Sequence, residues 1–159
     1  MKKTAFISNC GKYRYRLTRA WGEGWFLPFV MLNPSTADAD IDDPTIRRCI
    51  QFAQREKAGG IVVVNLFAFR ATKPADMMAA TDRHGPDNEG ALRYMATDAW
   101  RARMPVVCAW GAQGGAAALA VTDLLKRCGP RLVCLGKTKD GHPRHPLYVK
   151  GDQPLVPYP

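Results

Sequence analysis

Asn33, Asn65 and His145 are the residues of this chain with the clearest capacity for chemistry. Asn33 stands in Leu32-Asn33-Pro34-Ser35, Asn65 closes Ile61-Val62-Val63-Val64-Asn65, and His145 opens His145-Pro146-Leu147-Tyr148. An asparagine amide carries a donor and an acceptor side by side, and an imidazole can hold or donate a proton near neutral pH. Each residue also has a plain structural reading. Asn33-Pro34 can be only a turn, Asn65 a cap of the turn after it, and His145 a loop residue in water. What sets them apart is where the surrounding pattern places them.

An apolar run, Leu27 to Leu32, stops at Asn33-Pro34. Pro34 has no N–H for a ladder, so a strand must end there. The run 61–67, rich in β-branched residues and without alternation, reads as a strand buried on both faces. Residues 104–110 form a third apolar run closed by Gly111, and 131–135 a fourth. Helical patterns lie between them. Asp43 is a good N-cap and Pro44 suits the first helical position, with Ile46, Cys49, Ile50 and Ala53 on one face. A short helix is expected at 75–80. A further one at 87–102 buries Leu92, Met95, Ala96 and Ala99, and one from 114 through 125 buries Ala117, Val121, Leu124 and Leu125, with Gly129 beyond its end.

Strands alternating with helices predict a three-layer α/β/α domain spanning 1–159. Its expected sheet is a four-stranded parallel one with an N-terminal edge hairpin. That hairpin holds Tyr13-Arg14-Tyr15-Arg16-Leu17-Thr18-Arg19, whose alternation predicts arginines facing water or a phosphate. Residues 136–159 show little regular pattern. In such a fold the carboxyl ends of the strands gather at one edge, where ligands bind. Asn33, Asn65, Trp110 and the segment from His142 to Tyr148 all arrive there.

At 159 residues and 47% hydrophobic content the chain suits one globular domain. Its formal charge of +9 favours an anionic partner, DNA or a nucleotide. No run approaches the ~18 apolar residues of a membrane span, and the amino terminus does not read as a signal peptide. The expected location is cytoplasmic and the expected state a monomer. Cys10, Cys49, Cys108, Cys128 and Cys134 are scattered, without a C-x-x-C pair, and are read as free thiols. No cofactor is expected. The acidic loop Asp38, Asp40, Asp42, Asp43 has three open readings: a carboxylate for the site, with Asp38 nearest to Asn33; a cation site; or a helix cap.

The ordered set of motifs resembles the uracil-DNA glycosylase superfamily. Leu32-Asn33-Pro34-Ser35 is similar to the first motif of its mismatch-specific branch. The second strand ends in an asparagine, as in relatives, and Asn65-Leu66-Phe67-Ala68-Phe69-Arg70 is similar to the text that follows there. His145-Pro146-Leu147-Tyr148-Val149 is similar to the last motif. The text LNPSTAD…DDPTIRRC also resembles a family of bacterial and phage proteins known only as a domain of unknown function.

The glycosylase resemblance implies an N-glycosidase acting on a damaged or modified base. Asn33 would hold the attacking water and His145 would stabilise the departing base, with Asp38 as the carboxylate nearest to hand. Asn65 would read one edge of a pyrimidine, and Phe67 or Trp110 would stack on a flipped base. Arg70 and Arg144, with Lys137 and Lys139, would hold phosphates. Leu147 or Tyr148 would wedge into the stack. His142, in a second His-Pro pair, competes for the histidine role. Two other readings stand beside this one: a binder of nucleic acid or modified bases without catalysis, and a different nucleotide-processing enzyme that uses the acidic loop.

Overall fold

The computed structural model describes residues 1–159. It contains strands β1 (Lys2–Ile7), β2 (Arg14–Ala20), β3 (Phe26–Met31), β4 (Gly60–Asn65), β5 (Val106–Cys108), β6 (Leu132–Cys134) and β7 (Val156–Pro157). The helices are α1 (Pro44–Arg55), α2 (Pro74–Met78), α3 (Asn88–Arg101) and α4 (Gly115–Cys128). No helix is long and apolar enough to cross a membrane.

The fold is α/β, with a mixed seven-stranded sheet in the order β1-β2-β4-β3-β5-β6-β7. The sheet is larger than the expected one. Strands β3, β4, β5 and β6 pair in parallel, while β2 joins β4, and β7 joins β6, in antiparallel fashion. The hairpin β1–β2 therefore extends the sheet beside β4 and not beside β3, which follows it in sequence. Strand β7 contributes only Val156 and Pro157, too short a stretch for alternation to show. Pro28 lies inside β3, a central strand. It is tolerated because the pairing of β3 with β5 is confined to Phe29 and Val30.

Alternation along the central strands divides the core between the two faces. Phe29 and Met31 of β3, with Ile61 and Val63 of β4, pack with Ile46, Cys49, Phe52 and Ala53 of α1. Val30 and Leu32, with Val64, pack with Leu92, Met95 and Ala96 of α3 and Val121 and Leu125 of α4. Helix α1 starts where its sequence says. Asp43 caps it by accepting the Ile46 N–H at 2.8 Å, and Pro44 fills the first turn. Helix α4 runs one turn past its expected end, to Gly129, whose φ of 103° lets the chain leave in the left-handed conformation.

The alternation in β2 misleads about charge. Arg16 is exposed, but Arg14 and Arg19 are buried. Arg19 shares a side of β2 with Tyr15 and Leu17, so its guanidinium enters the protein. There it donates to Asp42 Oδ1 at 2.6 Å and to the carbonyls of Thr18, Asp38 and Ile41. The acidic loop supplies three of these four acceptors, the Asp42 carboxylate among them, which is why the charge can be buried. The cysteines are all free, and Cys49, Cys108 and Cys134 lie in the core.

Candidate functional site

The parallel register brings the strand ends to a common edge. Met31 of β3 pairs with Asn65 of β4, Val30 with Cys108 of β5, and Cys108 with Cys134 of β6. Beyond this line the chain opens a cleft of about 690 Å³. One wall is the Leu32–Asn33 strand end and the first turn of α1. The facing wall is Trp110 to Gln113 with Arg144, His145, Leu147 and Tyr148. The Ala109 N–H to Val30 O bond, at 2.9 Å, ties the two walls at their base, and Gly111 N–H to Pro143 O, at 2.8 Å, joins the two segments of the facing wall.

Asn33 is partly buried and fixed by its amide nitrogen. Nδ2 donates to the carbonyls of Pro34 and Ala71, both at 2.9 Å. No protein donor reaches Oδ1, so the amide offers an oriented acceptor. Pro34 O in turn accepts from the Ala71 N–H, which closes the turn.

Asn65 is 1% exposed, and neither Nδ2 nor Oδ1 has a hydrogen-bond partner. Its backbone carbonyl is satisfied by Asn88 Nδ2 at 2.9 Å, so only the side chain is left open. A buried amide with both ends unpaired is costly in an apolar setting. Asn65 lines the cleft, so its donor and acceptor are open to a group that enters there.

His145 faces the cleft from the start of the 3₁₀ turn Pro146–Tyr148. Its Nδ1 accepts the Leu147 N–H at 3.2 Å, which places the proton of the neutral ring on Nε2. Desolvation by burial lowers its pKa below the usual histidine value, against an opposing pull from Asp43. At neutral pH the ring is therefore an uncharged Nε2–H donor. Activity or binding that uses this donor should hold steady from pH 8 down past the ordinary histidine value of about 6.5 and decline only in more acid solution. A pH profile that instead rises as the ring protonates would assign His145 a cationic role.

Two further charged residues line the cleft: Arg14, expected to face water or a phosphate, and Asp43, expected as a helix cap or as one of the acidic-loop carboxylates. Arg14, 2% exposed, donates Nη1 to Ala37 O at 2.6 Å, while its Nε is buried without a partner. Desolvation lowers its pKa to about 10, opposed by the nearby Asp43 carboxylate. Asp43 itself is 7% exposed and lines the cleft while capping α1. In the sequence Asp43 stands both as the cap of α1 and as one of four acidic-loop carboxylates, with nothing to mark it out from Asp38, Asp40 and Asp42 as the one at the cleft. Arg14 stands on the side of β2 that alternation turns to water or a phosphate, and nothing in the sequence signals its burial.

The other expected site residues divide. Asn33, Asn65, Trp110, Arg144, His145, Leu147 and Tyr148 line the cleft. Asp38, Phe67, Arg70 and His142 do not. Asp38 Oδ1 accepts from the N–H groups of Asp40 and Ile41, which lower its pKa and close the acidic loop on itself. Phe67 is buried against His84, ring centroids 5.0 Å apart, with Arg83 over its ring. Arg70 donates to Gly11 O at 3.3 Å. His142 is held by its backbone to Thr138. Trp110 is 2% exposed, edge-on to Tyr158, with Nε1 unpaired. Tyr148 is 79% exposed at the rim. No group of His, Cys, Asp or Glu side chains has the arrangement of a metal site.

Residues 14–147 match the model of a protein family described as a protein of unknown function, DUF1643. No curated protein and no solved structure matches the chain.

Proposed function

We propose, from the premise that this chain belongs to the DUF1643 family, that its cleft takes a nucleobase and hydrolyses the bond joining it to a sugar. The observation that carries this reading is Asn65, a buried amide whose donor and acceptor both lack partners at the floor of the cleft. The motif resemblance to the uracil-DNA glycosylase superfamily supports it, as do the strand ends that bear those motifs.

The roles follow from the chemistry of each group. Asn65 pairs with an amide edge of the base. Asn33 Oδ1 accepts a hydrogen bond from a water and aims it at the sugar carbon. As the C–N bond breaks, its electron pair goes to the base, and the Nε2–H of His145 stabilises the charge that develops there. The water oxygen forms the new bond to carbon and sheds its proton to solvent. Asp43 takes the place first expected for Asp38, its carboxylate favouring the sugar cation. Arg144, with the exposed Lys137 and Lys139 nearby, holds the phosphates of a DNA or nucleotide substrate. A binder without catalysis is the second reading, favoured by the use of Asp43 Oδ1 as a helix cap.

The test is an excision assay. Oligonucleotides carrying uracil, mismatched thymine or hydroxymethylated bases, and the matching free nucleotides, are incubated with the protein and examined for abasic sites or released base. Excision that falls about a hundredfold in Asn33→Ala, with base binding retained, is the expected result. Tight binding without release from any substrate would establish the second reading.

A further inference from the structure

We propose that Arg14 selects the ligand, and that the ligand joins an amide edge, read by Asn65, to a carboxylate read by the Arg14 guanidinium. This inference rests on the base-binding reading above and narrows its substrate class to acid-substituted bases.

The argument begins with what the cleft leaves unpaired. Among its lining residues, the buried side-chain atoms without partners are Arg14 Nε, Asn65 Nδ2, Asn65 Oδ1 and Trp110 Nε1. Asn65 Oδ1 is the single acceptor in that set, and the rest are donors. A complementary ligand is therefore rich in acceptors. A neutral pyrimidine edge satisfies the Asn65 amide and leaves the guanidinium unanswered.

Arg14 is the strongest of these donors and the least satisfied. Of its nitrogens only Nη1 finds a protein acceptor, the Ala37 carbonyl. A guanidinium this deeply buried ordinarily has a hydrogen-bonded counter-ion, because desolvation of an unpaired charge is expensive. Asp43 supplies a nearby charge without a hydrogen bond to Arg14, and its Oδ1 is committed to the Ile46 N–H. The permanent charges lining the cleft are Arg14, Arg144 and Asp43, so the cleft carries a net positive charge. A planar carboxylate on a planar heterocycle matches a guanidinium fork in both charge and geometry.

The experiment is calorimetric titration of the intact protein with uracil, thymine, orotate and 5-carboxyuracil, the last two placing the carboxylate at different ring carbons. At least one carboxylated pyrimidine should bind about tenfold to a hundredfold more tightly than uracil and thymine. Arg14→Gln should erase that preference, bringing the carboxylated pyrimidines level with uracil and thymine, and Arg14→Lys should keep part of it. Thermal melts without ligand establish that each variant is folded. Should Arg14→Gln not fold, the wild-type ranking and Arg14→Lys decide. Equal affinity for all four pyrimidines, or a preference that persists in Arg14→Gln, overturns this inference and leaves base binding intact. Failure of every pyrimidine to bind overturns the base-binding reading with it.

Discussion

Replacing Asn65 with valine should stabilise the protein by about 1–2 kcal/mol while weakening base binding about a thousandfold. The two effects have one origin. Without a ligand, Nδ2 and Oδ1 are buried and unpaired, and such atoms carry a desolvation cost that folding does not recover. Valine removes both atoms and continues the run Ile61-Val62-Val63-Val64 with a residue suited to a strand. The backbone carbonyl of residue 65 keeps its bond from Asn88. A melting temperature roughly 3–6 °C higher is the expected readout in ligand-free solution. With ligand present the order reverses, because only the asparagine gains from binding. A variant that melts lower than the wild type without ligand, or binds bases as before, would mean that Asn65 is a structural residue.

Arg19→Ala should have the largest effect on stability, a loss of about 3–5 kcal/mol, seen as a fall of roughly 10 °C in melting temperature. Arg19 is fully buried and ties β2 to the acidic loop through Asp42, Asp38 and Ile41. Its removal leaves the Asp38 carbonyl without a donor, the Ile41 carbonyl with only the Asp38 N–H, and Asp42 with Lys3 as its remaining cation, at 3.1 Å. The same pair gives a pH signature. Desolvation works against ionised Asp42, but hydrogen bonds from Arg19 and Lys3 outweigh it and hold its pKa below the usual aspartate value. A carboxyl whose folded pKa is depressed contributes stability that is complete above the unfolded value, near 3.9, and lost as pH falls through the folded one. Wild-type stability should therefore drop in acid below about pH 4, and Asp42→Asn should be weaker at neutral pH with a shallower acid slope. Parallel acid slopes for the two proteins would remove Asp42 from this account.

Local chemistry was legible in the sequence wherever a single element decided the outcome. Asp43-Pro44 and the spacing of Ile46, Cys49, Ile50 and Ala53 announce α1, and all four of those spaced residues are buried. The β-branched run 61–64 announces β4, and Asn33 stops β3 close to where Pro34 required. What the sequence hides is the fate of charges whose partners lie far along the chain. Arg14 alternates with apolar residues like a solvated side chain, Arg19 falls in line with Tyr15 and Leu17, and the loop carbonyls and carboxylate that accept both lie 19 to 23 positions on. Asp38 is near Asn33 in sequence, but its carboxylate folds back on the Asp40 and Ile41 amides. Asp43 reaches the cleft instead, because the helix it caps packs across the strand ends. Strand β7 is too brief to signal itself, and its place depends on an edge that exists only once β6 is in the sheet.

The position of β3 between β4 and β5 gives the cleft two walls of unequal permanence. Amides of β3 and β4 are enclosed by neighbours on both sides, so they exchange with solvent only when the whole domain opens. The facing wall, from Gly111 to Gln113 and from His142 to Tyr148, is loop and a single 3₁₀ turn, its two segments joined by the Gly111 to Pro143 bond and clamped from α1 by Arg48 on the carbonyls of Pro146 and Val149. Amides of that wall should therefore exchange faster than those of β3 and β4, through local opening. Asn33 and Asn65 thus form a fixed template. His145 and Tyr148 ride on the loop wall, and a ligand bound as proposed should slow hydrogen exchange there while leaving β3 and β4 unchanged.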